Sequence, residues 1–202
     1  MKDITLQGFL DSVASTDPTQ GGGCVSAVSG SMGVSLMLMV ARLMASKEKF
    51  AQEHDTLHAM IETLETVKQL FLDYAQQDSL AFDLVMQAYR LPKETPQEKL
   101  TRAEAIEQAL IKASLVPLQV MQRVVDVAVM MDDLLSLCPA SFYTDALVGK
   151  LMLIASFDGA KMNVLINLDS LKDPSQKQQI EQKVNELTLQ WDYFKQRFEQ
   201  HK

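Results

Sequence analysis

Apolar residues recur along this chain at helical spacing from end to end, and no stretch alternates with the period-two pattern of a half-buried strand. A short first helix is expected from about Thr5 to Ala14, with Leu6, Phe9, Leu10 and Val13 on one face. Asp17-Pro18-Thr19-Gln20 ends it, and the loop closes in Gly21-Gly22-Gly23. A second helix then runs to about Ala45. Ser26, Gly30 and Gly33 form a stripe of small residues along it, which lets another backbone approach closely. This helix therefore belongs at the centre of the fold or at a subunit interface.

A long third helix is expected from about Phe50 to Tyr89, with Leu57, Ile61, Leu64, Phe71, Ala75, Phe82 and Val85 marking its apolar face. Leu91-Pro92-Lys93 closes it, because proline disfavours helix at the residue before it. Thr95-Pro96-Gln97-Glu98 reads as the start of the next helix, which continues past Pro117 with a kink expected there. Cys138-Pro139 interrupts, and another helix follows from about Thr144 towards Leu168. Asp173-Pro174 opens the last. In it Ile180, Val184, Leu187, Trp191, Phe194 and Phe198 form the seam of a docked helix. The expected fold class is all-α. A multi-helical bundle with long central helices fills residues 1–202 as one domain, with residues 173–202 as a docked C-terminal helix.

Composition narrows the function. The 202 residues are 47% apolar and 22% charged, which is ordinary for a globular chain. The net charge of -7 argues against nonspecific nucleic-acid binding. Two cysteines, Cys24 and Cys138, form no C-x-x-C unit and suit a reducing compartment. The N-terminus carries Asp3 and Asp11 and no signal-type apolar core, so a cytoplasmic location is expected. Residues 18–41 carry no charge, but their serines and glycines favour a buried core helix over a membrane span.

Four features could carry chemistry. Five of the eight glycines fall between Gly21 and Gly33. Gly21, Gly22 and Gly23 expose unshielded N–H groups at a helix start, which suits either an anion or a tight, close-packed loop. Asp78 is the second: Phe71, Ala75, Asp78, Phe82 and Val85 step by four, three, four and three. A carboxylate on that stripe is costly unless paired, for example with Arg102 or Lys47, or used. Burial there would raise its pKa and suit a general acid or base. Third, Lys47, Lys49, Arg90, Lys93, Lys99 and Arg102 are the cations placed to meet an anion, or simply solvated helix ends. Fourth, Asn163 and Asn167 share a face among apolar neighbours and need hydrogen-bond partners, and Asp145 is either a helix-start acid or a group aimed at a site. His54 and His58 lie four apart, but the segment lacks H-E-x-x-H, and no metal site is expected. Cys24, near a helix start, could have a lowered pKa.

Taken in order, these segments resemble the cyclodeaminase/cyclohydrolase family of folate enzymes. The resemblance covers roughly Leu6 to Leu171. It runs from Phe9-Leu10 and Thr19-Gln20-Gly21-Gly22-Gly23 through Met39-Val40-Ala41-Arg42-Leu43 and Lys47-Glu48-Lys49-Phe50. Asp78-Ser79-Leu80-Ala81-Phe82, Ala88-Tyr89-Arg90-Leu91-Pro92-Lys93 and Arg102 continue it. Ala113-Ser114-Leu115-Val116-Pro117-Leu118, Thr144-Asp145-Ala146 and Asn163-Val164-Leu165-Ile166-Asn167-Leu168 complete it.

The resemblance implies a homodimeric all-α enzyme with no metal and no tightly bound cofactor, acting on a tetrahydrofolate derivative. One reaction closes 5-formiminotetrahydrofolate to 5,10-methenyltetrahydrofolate with loss of ammonia. The other hydrolyses the methenyl compound to 10-formyltetrahydrofolate. It further implies Asp78 and Lys47 as catalytic groups. Gly21, Gly22, Gly23, Arg90, Arg102, Asp145, Asn163 and Asn167 are implied in substrate binding. Gln20 stands where the family has proline, Met44 where threonine is common, and Thr144 where the serine of a serine–aspartate pair is usual. Cys138-Pro139 stands where Gly-Asn is typical. Those departures motivate the alternative of a catalytically impaired member acting as a folate-binding or helical interaction protein.

Overall fold

The computed structural model describes residues 4–16 and 19–201. Asp17 and Pro18, expected to end the first helix, lie outside the described residues. Among the described residues there is no strand. The elements are α1 (Leu6–Val13), α2 (Gly22–Ala45), a 3-10 turn (Glu48–Phe50), α3 (His54–Tyr89), α4 (Pro96–Leu137), α5 (Ala140–Ser170) and α6 (Pro174–Phe198).

Local chemistry sets the ends. Thr5 caps α1 through its hydroxyl, which accepts from the Gly8 N–H at 3.1 Å. Thr95 and Glu98 form a reciprocal capping box with Pro96 in the first turn of α4, as the sequence led one to expect. Asp173 accepts from the N–H groups of Ser175 and Gln176 at the start of α6. Two boundaries differ from expectation. The 3-10 turn takes up residues 48–50, so α3 begins at His54. Pro139, in extended backbone, caps α5, so that helix begins at Ala140 rather than near Thr144. α4 runs through Pro117 as one continuous helix.

α2 is the centre. It packs against α5 on one side and α3 on the other, with α4 closing the bundle and α6 docked on α4. The small stripe is what permits this. A Cβ on Gly30 would lie 2.6 Å from the Phe71 ring, and one on Gly33 would lie 2.9 Å from the Gly149 carbonyl oxygen. α2, α4 and α5 are each long and apolar enough to cross a membrane. In the folded chain, however, 67% of the apolar window of α2 is buried against its neighbours. Trp191, stacked on Phe157 at 5.2 Å, and Phe198 anchor α6, so the expected docked seam is present.

Candidate active site

The first turn of α2, the last third of α3, the middle of α4 and the C-terminal end of α5 enclose a cavity of about 300 Å³. Asp78, Gly21, Gly22, Gly23, Asn163 and Asn167 line it, together with Thr19, Phe82, Val85, Ala113 and Ile166. Six of the residues singled out in the sequence thus meet at one place, although they come from three separate segments.

Among the described residues Asp78 is the only carboxylate in the lining. The Cys24 backbone N–H, at the positive end of α2, donates to it. Among the described residues no side-chain cation pairs with it, so the ion pair with Arg102 or Lys47 considered above is not formed. Burial pushes its pKa up to about 6, and the Cys24 N–H offsets part of that rise. Such a group changes protonation state close to neutrality, which a proton-transfer catalyst requires.

Gly23 explains how the carboxyl fits. A Cβ at that position would lie 2.3 Å from Asp78 Oδ1. The absence of a side chain at Gly23 therefore lets the carboxyl reach the helix end. A Cβ at Gly22 would meet only the Asn163 amide, at 3.2 Å. Thr19 ties the glycine loop to α3 by donating to Asp83 Oδ1 at 3.2 Å. Asn163 Nδ2 donates to the Gly159 carbonyl at 2.8 Å, and Asn167 Nδ2 donates to the Ala113 carbonyl at 3.1 Å.

The other residues singled out lie elsewhere. Lys47 follows the C-terminus of α2, roughly 36 Å along that helix from Gly22 at 1.5 Å per residue. Its ammonium sits 5.5 Å from the Phe142 ring centroid. Asp145 lies at the same end, near the start of α5, where it raises the pKa of the partly buried Cys138 thiol in addition to the larger effect of burial. Arg90 follows the last residue of α3. Arg102 donates from Nε and Nη2 to the Tyr89 carbonyl at 3.2 and 3.1 Å and covers the Tyr89 ring, so it closes the end of α3. Both arginines flank the α3–α4 turn outside the cavity.

Cys24 departs from expectation. It is fully buried, and burial pushes its thiol up to about 11, so the helix start does not activate it. His54 and His58 approach each other to 3.1 Å between Nε2 atoms, and no group of three metal-ligating side chains exists among the described residues. A groove of about 290 Å³ between α3 and α4, lined by Leu84, Leu91, Ala109 and Lys112, contains no carboxylate.

Residues 5–186 match the family described as formiminotransferase-cyclodeaminase. A methenyltetrahydrofolate cyclohydrolase from Methylorubrum extorquens is 37% identical over 84% of this chain and 81% of its own. A formimidoyltransferase-cyclodeaminase from Mus musculus is 28% identical over 92% of this chain, which spans only 34% of that relative's length. The crystal structure of formiminotetrahydrofolate cyclodeaminase from Thermotoga maritima superposes with a TM-score of 0.88. It is 28% identical and covers 99% of this chain and 96% of its own. A match over nearly the whole chain, in sequence and in fold, places this protein in the formiminotransferase-cyclodeaminase family.

Proposed function

We propose that this chain is a folate one-carbon enzyme that works on the carbon bridging N5 and N10 of tetrahydrofolate. The observation that carries the reading is Asp78: a half-buried carboxyl with no cationic partner among the described residues, held at a helix start in a cavity, its pKa pushed up to about 6. Of the two reactions in the family, hydrolysis of 5,10-methenyltetrahydrofolate is favoured by the higher identity to a cyclohydrolase over most of both chains.

In that reaction water adds to the methenyl carbon and gives a proton to the Asp78 carboxylate. The adduct's hydroxyl loses its proton as the carbon–N5 bond breaks, and Asp78 returns its proton to N5. The product is 10-formyltetrahydrofolate, with one proton released. Cyclisation of 5-formiminotetrahydrofolate makes the same demand. N10 attacks the carbon of the protonated formimino group, Asp78 takes the N10 proton and delivers it to the leaving NH2 nitrogen, and ammonia departs, leaving the methenyl cation. The charged carboxylate also stabilises the methenyl cation electrostatically. Gly21 and Gly22 leave room beside it, and Asn163 and Asn167 hydrogen-bond the pterin. Arg90 and Arg102, at the C-terminal end of α3 outside the cavity, attract the glutamate carboxylates.

The protein is further proposed to be a cytoplasmic homodimer with no tightly bound cofactor and no membrane or nucleic-acid partner. Val25, Met32 and Met39 repeat every seven residues on the outer side of α2 and are exposed, as are Val148, Leu151, Met162 and Ile166 on α5. α2 and α5 run antiparallel: Gly22 meets Asn163, and Gly33 meets Gly149. A twofold axis near the middle of α2 would lay one protomer's Lys47–Asp145 end beside the other's Asp78 cavity, giving Lys47 access to the acid. The impaired alternative rests on Cys138-Pro139, which lies at the start of α5, outside the Asp78 cavity.

The test is near-UV absorbance. Added protein should speed the decay of methenyltetrahydrofolate beyond its buffer rate, and formation from 5-formiminotetrahydrofolate should be assayed alongside. No change in either, with 5-formyltetrahydrofolate still bound, would leave the impaired reading. Sedimentation as a monomer at micromolar concentration would remove the dimer.

A further inference from the structure

Pro117 stands inside α4, where proline withholds an N–H and leaves the carbonyl four residues earlier without its helical donor. That carbonyl belongs to Ala113, which lines the Asp78 cavity. The donor it finds instead is Asn167 Nδ2, from α5, at 3.1 Å. An amide nitrogen facing a carbonyl fixes which way the planar amide group is turned, because the oxygen cannot take that place. Among the described residues Asn167 Oδ1 makes no hydrogen bond, and the residue lines the cavity. Asn163 is turned the same way by the Gly159 carbonyl. Both asparagines of the cavity lining thus have their nitrogens engaged, which leaves their amide oxygens as the acceptors available to a ligand.

From this geometry we infer that Pro117 is a positioning residue: by leaving the Ala113 carbonyl unpaired within its own helix, it holds the Asn167 amide so that Oδ1 accepts from an N–H-rich edge of the substrate. In the folate reading above, on which this rests, that edge is the reduced pterin, whose ring and amino N–H groups are donors. A site that reads donors through two fixed oxygens rejects a ring presenting acceptors at those positions, since facing lone pairs would be buried unpaired.

The test uses Pro117→Ala and Asn167→Ala, singly and together. Pro117→Ala supplies an N–H to Ala113, competes with Asn167 and frees its amide to turn. KM for methenyltetrahydrofolate should rise about tenfold, the value of one hydrogen bond, with kcat changed less than about threefold. In the Asn167→Ala background Pro117→Ala should add nothing. An unchanged KM in Pro117→Ala, or an effect that multiplies fully with Asn167→Ala, overturns the inference.

A second readout needs no substrate and no proline variant. In the wild-type protein one Asn167 side-chain N–H, assigned by its loss in Asn167→Ala, should exchange with solvent more slowly than that of an exposed amide such as Gln87. Fast exchange of both Asn167 protons overturns the inference. Slow exchange in a protein that turns over no folate would uphold the amide's orientation and count against the folate reading alone.

Discussion

Two aspartates share one sequence signature and have opposite environments. Asp78 sits in the stripe Phe71, Ala75, Asp78, Phe82, Val85 of α3. Asp132 sits in Met121, Val125, Ala128, Asp132, Leu135 of α4, again stepping by four, three, four and three. Asp132 is only 6% exposed, yet two bases reach it from the end of the chain. Arg197 Nε donates to Oδ2 at 2.6 Å, and His201 Nε2 lies 2.7 Å from Oδ1. Burial alone would raise its pKa, but the bonds from Arg197 and His201 bring it below the ordinary carboxylate value. The Tyr143 hydroxyl donates to the His201 carbonyl and completes the clasp holding α6 on the bundle. Asp78 instead has a backbone N–H and a cavity. A cation on a carboxylate taken out of solvent makes a fastener; withholding the cation leaves a group whose protonation changes near neutral pH.

The largest effect should come from Asp78→Asn. Loss of the proton carrier should lower kcat on the order of 10²–10⁴-fold. The rise of kcat/KM with pH, centred near 6 in the wild type, should vanish with it. The same substitution should make the protein about 1–3 kcal/mol more stable near pH 7, because it removes a half-buried charge. A variant that keeps full turnover would end the assignment of Asp78.

Gly23→Ala comes next. Its Cβ cannot share space with Asp78 Oδ1, so the carboxyl must leave the Cys24 N–H, and kcat should fall roughly 10²-fold with an intact circular dichroism spectrum. Asp132→Ala should do the reverse. Turnover should hold while urea unfolding shows a loss of about 1–3 kcal/mol, held to that range because Arg197 is partly exposed.

The smallest effect is the sign of the pH dependence. A raised folded-state pKa means the native protein holds its proton longer than the unfolded chain. Asp78 therefore costs stability as pH rises from about 3.8 to about 6. The lowered pKa of Asp132 has the opposite consequence: its contribution is present above about 3.8 and is lost as pH falls through its folded value. Stability measured against pH in Asp78→Asn and Asp132→Asn should change in these opposite directions; equal profiles would erase the distinction.

Much of the fold was legible in the chain because helical period, prolines and caps act locally. Thr95-Pro96-Gln97-Glu98 formed its capping box, and the seam from Ile180 to Phe198 docked as its spacing indicated. The site was legible in part. Asp78, the glycines and both asparagines converge, but Lys47 and Asp145 lie at the far end of α2 and α5, and Arg102 serves the end of α3. Spacing tells which residues share a helix face. It does not tell how far along that face two helices meet. Asp132 carries the same signal as Asp78, and spacing alone does not separate the two.

The sequence by itself determined an all-helical chain, the faces its helices bury, the glycines at the start of α2 and a carboxylate on an apolar stripe, since each follows from contacts within a few residues. Only the tertiary structure decided what surrounds that carboxylate. Arg197 and His201 lie 65 and 69 residues from Asp132 and come to it through the docking of α6, while packing brings Asp78 to the Cys24 N–H and an open cavity. A carboxyl group's charge and proton affinity depend on the groups folding brings within a few ångströms of it, and residue spacing along a helix does not specify them.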